Sequence, residues 1–400
     1  MHPHIHALYE LSAKPQRTIV GLMSGTSMDG LDVALCQISG AGRDTRIKVQ
    51  HFTTCAYPKE YSQRLRQVFA KRDIDLQHLT LLNAWVGRLH GQLVKQCLAQ
   101  WQVNADEVDA IASHGQTVYH CPKAQHGLDG YPNATLQIGD GCHVACSSGI
   151  LTISDFRQKH IAAGGEGAPL AAYGDYLYFA SAHEHRVLLN LGGIANITWL
   201  PKAGELGDTL CADLGPGNTM LDAYVQRYFA PRQFDENSTL ARQGQVYKPL
   251  LAKLSQHPFL HAAMPKTTGP EVFNLAYLAQ CQAALGETHL AHEDVLATLC
   301  EFAAYHVGTQ LARLAKVHGP LHVYASGGGV HNPLLMARIA HFSGEQVQLD
   351  SLTQLGMNPD AKEAVLFALL ANETLAGQPA KAAAIEGMPQ ISMGKLSFPD

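Results

Sequence analysis

Twice in this chain a short apolar run meets a turn of glycine and small polar residues, and a second apolar run follows at once. The first copy is Thr18-Ile19-Val20-Gly21-Leu22-Met23, the turn Ser24-Gly25-Thr26-Ser27-Met28-Asp29-Gly30, and an apolar segment over 31–38. The second is Arg186-Val187-Leu188-Leu189-Asn190-Leu191, the turn Gly192-Gly193-Ile194-Ala195-Asn196, and Ile197-Thr198-Trp199-Leu200. Such runs around a glycine-containing connection read as β-hairpins. The match is structural rather than literal and hints at duplication of one unit. With 400 residues the chain is long enough for two compact lobes, each with its own core.

Helical spacing fills much of the remainder. Residues 61–69 and 79–98 carry apolar positions at that period, among them Leu82, Trp85, Val86, Leu89 and Leu93. A long helical pattern covers 290–318, and 321–325 reads as a buried strand. Asn332 and Pro333 then open a helix as N-cap and first-turn residues. Strands alternating with helices, with hairpins at both lobe starts, predict an α/β chain with mixed sheets. The glycines 164, 165 and 167 mark a tight junction, which puts a boundary near 154. The expected division is 18–153 plus 377–400 for lobe I and 154–376 for lobe II, behind a leader over 1–17.

Several function classes drop out on bulk properties. A net charge of −5 offers no footprint for nucleic acid or anionic lipid. No apolar run approaches the ~18 residues that span a bilayer, and the start lacks the basic and apolar stretches of a signal peptide. A cytoplasmic protein is expected. The nine cysteines include no Cys-x-x-Cys pair, so they read mostly as small core residues rather than as zinc ligands or disulfides. His2, His4 and His6 alternate in the leader, a pattern that reads as a tail without organised geometry more readily than as a metal site.

A triphosphate needs backbone N–H groups brought close, and glycine permits this. Three sequences have that character: residues 24–30, 192–196 and 326–329. A Walker A pattern is missing from the chain, which excludes the P-loop route. The economical reading is a nucleotide held in an interlobe cleft, with a hairpin turn from each lobe. In the first turn Ser24, Thr26 and Ser27 offer hydroxyls, Gly25 and Gly30 open backbone, and Asp29 a carboxylate for Mg²⁺ through water. Gly192 and Gly193 form the second contact and Gly327, Gly328 and Gly329 the third. Each also reads as a tight turn chosen for backbone habit alone.

Phosphoryl transfer asks mainly for positioning, a metal ion and a base near the acceptor. Asp213, in Asp213-Leu214-Gly215-Pro216-Gly217-Asn218, is the base candidate, against a local turn role. His114 and Thr117 sit on what reads as a loop after a buried strand and suit sugar hydroxyls. Arg157 matches a carboxylate, with an Asp155–Arg157 ion pair as the competing reading. Glu363 opens an apolar helix, where acids are also common for dipole reasons.

These blocks, in order, are similar to the anhydro-N-acetylmuramic acid kinase family. They are Met23–Gly30, Ser113-His114-Gly115-Gln116-Thr117, Asp155-Phe156-Arg157, 164–170, 190–196, 213–218, Lys266-Thr267-Thr268-Gly269 and 326–329, and the ordered set is specific. The resemblance implies two RNase H-like lobes of the actin/Hsp70/hexokinase kind closing over ATP. It implies conversion of 1,6-anhydro-N-acetylmuramic acid, ATP and water into N-acetylmuramic acid 6-phosphate and ADP, in peptidoglycan recycling. Asp213 takes the position of the general base, and His114, Thr117, Arg157 and Glu363 fall in or near the sugar pocket. Small molecules are the expected partners, and a homodimer is left open. The chain departs from the family where His160 replaces the usual acid, so His160 is assigned no catalytic role. It departs again where Asp360-Ala361-Lys362-Glu363 replaces a Trp-x-Glu form.

Overall fold

The computed structural model describes residues 2–168, 170–204, 206–286, 289–377 and 391–399. Packing divides the chain into two compact units, Met1–Phe179 with Glu205–Gly207 and Asp360–Asp400, and Ala180–Gly204 with Asp208–Pro359.

In the first unit β1 (Gln16–Ser24) and β2 (Gly30–Ser39) form the expected hairpin, with Ser24 opposite Leu31. Then β3 (Arg46–Ala56) extends the meander. β1 is buried along most of its length because it is central, whereas β3, at the edge, exposes much of its length. On the other side of β1, in parallel, lies β4 (Ala110–Cys121), paired in turn with β5 (Ala134–Ile138) and β6 (Thr152–Ser154). The helix Leu76–Trp101 begins where the Asp75 side chain accepts from the N–H groups of Gln77 and His78. Its buried stripe, including Leu82, Val86, Leu93, Val94 and Cys97, covers one sheet face. The helix Lys362–Ala376 covers the β1 region through a close approach: a Cβ at Gly21 would sit 1.9 Å from the Ala364 carbonyl oxygen.

In the second unit β7 (His185–Leu191) and β8 (Ile194–Leu200) form the other expected hairpin, followed by β9 (Leu210–Pro216). β10 (Leu321–Ser326) and β11 (Val347–Ser351) add in parallel on the far side of β7. Residues of the helix His292–His318, among them Val295, Leu299 and Phe302, pack into one cluster with the sheet residues Val187, Leu189 and Ile197. β12 (Lys395–Ser397) returns to the first sheet beside β6. Among the described residues the sheets run β12-β6-β4-β1-β2-β3 and β11-β10-β7-β8-β9. Renumbered within each sheet, both contain the order 3-2-1-4-5: an antiparallel meander of three, then two strands parallel to the first. The hint of duplication in the sequence is thus a duplicated topology, the RNase H-like one.

Three expectations need correction. The units divide near 179 and 359, not at 153 and 376, because the helices Phe156–Ala162, Ala171–Phe179 and Lys362–Ala376 belong with the first sheet; residues 378–390 of the expected lobe I lie outside the described residues. His114 and Thr117 lie within β4, not on a loop after it, since β5 continues the pairing from Gln116 to Cys121. The leader is helical over Pro3–Ala13, capped by His2. His2 Nδ1 accepts from the His4 N–H, and the His4 ring stacks on Phe398. Most of the nine cysteines are buried or half-buried, while Cys142 and Cys146 are exposed because their helix buries Val144 and Ala145. Among the described residues no helix is long and apolar enough to cross a membrane.

Candidate active site

The turn after β1 is anchored from below. Met28 adopts a left-handed backbone (φ 58°) that is unfavourable for a side chain with a Cβ. Its buried side chain packs with Tyr61, Leu65 and Val86, which holds that conformation. Thr26, Ser27 and Asp29 remain exposed. Asp29 Oδ1 accepts from Ser27 Oγ and from the N–H of Gly30. Ser24 is different: it is buried, and its Oγ donates to Gln116 Oε1 at 2.6 Å. Tyr57 OH donates to Ser24 Oγ at 2.8 Å and lies 2.9 Å from His90 Nε2. Gln116 Nε2 donates to the Gly25 carbonyl at 3.3 Å. Ser24 and Gln116 therefore shape the turn from inside. Burial pushes the pKa of His90 down to about 3 and raises that of Tyr57, so this network stays neutral.

His114, Arg157 and Glu363 all belong to the first unit. Arg157 Nε donates to His114 Nε2 at 3.0 Å, and its Nη1 donates to the Gly167 carbonyl at 2.7 Å. Acceptance at Nε2 puts the His114 proton on Nδ1. Burial, with Arg157 beside it, pushes the His114 pKa down to about 3, so the imidazole is neutral. The competing Asp155–Arg157 ion pair is not formed: Asp155 pairs with Lys395. Burial lowers the Arg157 pKa while the negative charge of Glu363 supports its protonated form. Glu363 is exposed on the first turn of its helix, and the neighbouring Lys362 pairs with Asp175 at 2.9 Å. Thr117 Oγ1 accepts from Gln137 Nε2 at 3.1 Å.

In the second unit Asp213 lies on β9 opposite Asn196, at a bulge between Ala195 and Asn196. Its backbone N–H donates to the Lys266 carbonyl, and its Oδ2 accepts from the Thr268 N–H at 2.8 Å. Burial raises the Asp213 pKa, and the Thr268 N–H pulls it back. One oxygen is thus fixed on the chain, and the carboxylate is only half-buried. The sequence reading gave Thr268 and Lys266 no site role; only the fold brings their segment onto β9.

The glycine turns of this unit interlock. Asn218 and Gly217 donate backbone N–H groups to the carbonyls of Gly192 and Gly193, at 2.9 and 2.8 Å. Asn218 Nδ2 reaches the Leu191 carbonyl at 3.2 Å. Gly327 is left-handed (φ 86°), and a Cβ there would meet Asn190 Oδ1 at 2.6 Å. Gly192, Gly193, Gly327 and Gly329 therefore lie around one patch of bare backbone bordered by Asn190 and Asn218.

The family model described as anhydro-N-acetylmuramic acid kinase matches residues 17–398. A protein of that name from Pseudoalteromonas atlantica is 56% identical over 100% of both chains. One from Pseudoalteromonas translucida is 54% identical over 100% of both, and one from Caldanaerobacter subterraneus is 34% identical over 98% of this chain and 99% of its own. The chain belongs to the anhydro-N-acetylmuramic acid kinase family. It is a kinase-family enzyme throughout its matched length, and the helix Pro3–Ala13 precedes the region that the anhydro-N-acetylmuramic acid kinase model covers.

Proposed function

We propose that this chain converts 1,6-anhydro-N-acetylmuramic acid, ATP and water into N-acetylmuramic acid 6-phosphate and ADP, in cytoplasmic peptidoglycan recycling and amino-sugar catabolism. The observation that carries the reading is Asp213, half-buried, with one oxygen tied to the Thr268 N–H, inside a full-length family match. Asp213 accepts a proton from a water that attacks C1 of the sugar. The C1–O6 bond breaks, O6 attacks the γ-phosphorus, and ADP departs. A general base must be ionised at working pH, and the Thr268 hydrogen bond favours that form.

Arg157 receives the acid group of the sugar, with His114, Thr117 and Glu363 around the ring. Gly192, Gly193, Gly327, Gly328 and Gly329 receive the nucleotide, and the exposed Thr26, Ser27, Asp29 and the backbone of Gly25 and Gly30 grip phosphate. Magnesium takes one or two carboxylates plus phosphates and waters, which fits exposed Asp29 acting through water. Bound there it would neutralise phosphate charge. The test is ATP consumption with anhydro-N-acetylmuramic acid beside levoglucosan and N-acetylglucosamine. The reading requires turnover of the first above the others; no turnover of the first overturns it.

A further inference from the structure

Two thiols meet at the end of β3. Cys55, half-buried, is the last residue but one of that strand, and Cys97 is buried on the helix Leu76–Trp101. Their sulfurs stand 3.1 Å apart across 42 residues of sequence, so the two side chains already converge as a bridge requires. Cys97 packs with Leu93, Val94 and Leu98, and Cys55 and Tyr57 rest against the same cluster. The hydrogen bond with Cys97 lowers the Cys55 pKa, and the same bond, with burial, raises that of Cys97. Cys55 is therefore the attacking thiolate and Cys97 the resolving thiol.

Cys55 is also tied to the turn over 24–30. It faces Leu31 across the ladder, and Ala56 faces Gly30. A Cβ at Gly30 would sit 2.9 Å from the Cys55 carbonyl oxygen, so the two backbones leave no slack. Two residues on, the Tyr57 N–H donates to the Asp29 carbonyl at 2.9 Å, and its hydroxyl donates to Ser24 Oγ at 2.8 Å. β3 is the edge of its sheet and exposes much of its length, whereas the helix is held by a long buried stripe. When the sulfurs are drawn together, the strand gives way rather than the helix.

We propose that Cys55 and Cys97 are a reversible oxidation site whose bridge pulls the end of β3 toward the helix and loosens the hold of the turn on ATP. This rests on the turn over 24–30 gripping phosphate. The oxidant is a small disulfide of the glutathione class. The Cys55 thiolate attacks one of its sulfurs, and the first glutathione leaves as thiolate. Cys97 loses its proton, attacks the Cys55 sulfur and expels the second glutathione. Two electrons pass to the oxidant, both thiol protons end on the released glutathiones, and one Cys55–Cys97 bond remains. Such a pair stays reduced in a reducing compartment and closes under oxidation.

The experiment treats the full chain with glutathione disulfide, maps its cysteine peptides by mass and measures ATP affinity by calorimetry before and after. The expected result is a joined Cys55–Cys97 peptide, two hydrogens lighter than its parts, and ATP binding weakened about fivefold or more. Dithiothreitol restores both. Cys55→Ser, which cannot bridge, binds ATP as the reduced parent does, with or without oxidant. The exposed Cys142 and Cys146 take up glutathione and report that the oxidant has acted. Their modification without a Cys55–Cys97 bridge overturns the inference. So does a bridge that leaves ATP affinity unchanged, or an equal loss of affinity in Cys55→Ser. A reduced parent that consumes no ATP with anhydro-N-acetylmuramic acid overturns the functional reading instead, and the bridge and the affinity are both read without turnover.

Discussion

The general-base role proposed for Asp213 makes two demands that pull against each other. Burial makes a carboxylate a stronger base but favours its neutral form, and the Thr268 N–H at 2.8 Å counters that. Asp213→Asn keeps shape and loses basicity. It should lower kcat by at least ~10²-fold while ATP and sugar affinities by calorimetry stay within about threefold. The parent kcat/KM should fall as pH drops through a pKa above the ordinary carboxylate value, since protonated Asp213 cannot take the proton. Persistence of that acidic limb in the Asn variant would assign it to another group. Asp213 and Arg157 stood out as candidates in the sequence because one is a carboxylate before a glycine-rich turn and the other a guanidinium that can match a carboxylate. The contacts of Thr268, Gln116 and His160 were not legible. Their contributions are a backbone N–H, an amide beneath a turn and an imidazole acceptor, and each depends on a partner far away in the chain or across a tight loop.

Elements were readable wherever local pattern and pairing agree. The two hairpins follow from apolar runs around small residues, and Asn332 caps its helix as expected, accepting from the Leu335 N–H at 2.9 Å. β4 was misread because Ser113, His114, Gly115, Gln116 and Thr117 are polar or small, and polarity suggested a loop. Ser113, His114 and Gln116 are nevertheless buried, and β5 holds the strand beyond them. The close contact of Gly21 with the Ala364 carbonyl oxygen gives an element-scale prediction. Gly21→Ala puts a methyl against helix backbone that cannot yield as a side chain does. It should destabilise by about 1–3 kcal/mol or more, read as a lower midpoint in urea unfolding. An unchanged midpoint would mean that the helix Lys362–Ala376 is free to move off β1.

At the scale of the whole molecule the duplicated 3-2-1-4-5 topology was foreshadowed by the repeated hairpin, while the division between units was not. Which sheet a helix joins is decided by long-range packing such as that of Lys362–Ala376, and apolar periodicity is the same for either. Stability should carry the mark of buried neutral histidines, among them His90, His114 and His306. Burial pushes the pKa of His90 and His114 to about 3 and that of His306 to about 4. The unfolded chain binds protons below about 6.5 where the folded chain does not, so this stability is complete above pH 6.5 and is lost as pH falls. At pH 5 each site costs about 2 kcal/mol by this linkage. Thermal midpoints should drop steeply between pH 7 and 5, and a flat profile would place these rings in water.

The central claim is that the enzyme couples bridge opening by water to phosphoryl transfer. The direct measurement is turnover of anhydro-N-acetylmuramic acid and ATP in ¹⁸O-water, quenched early, with mass analysis of the sugar phosphate. One ¹⁸O on C1 and none in the phosphate, in step with ADP release, is the predicted result. Phosphate transfer without ¹⁸O at C1, or ADP formed with the anhydro bridge intact, would contradict it.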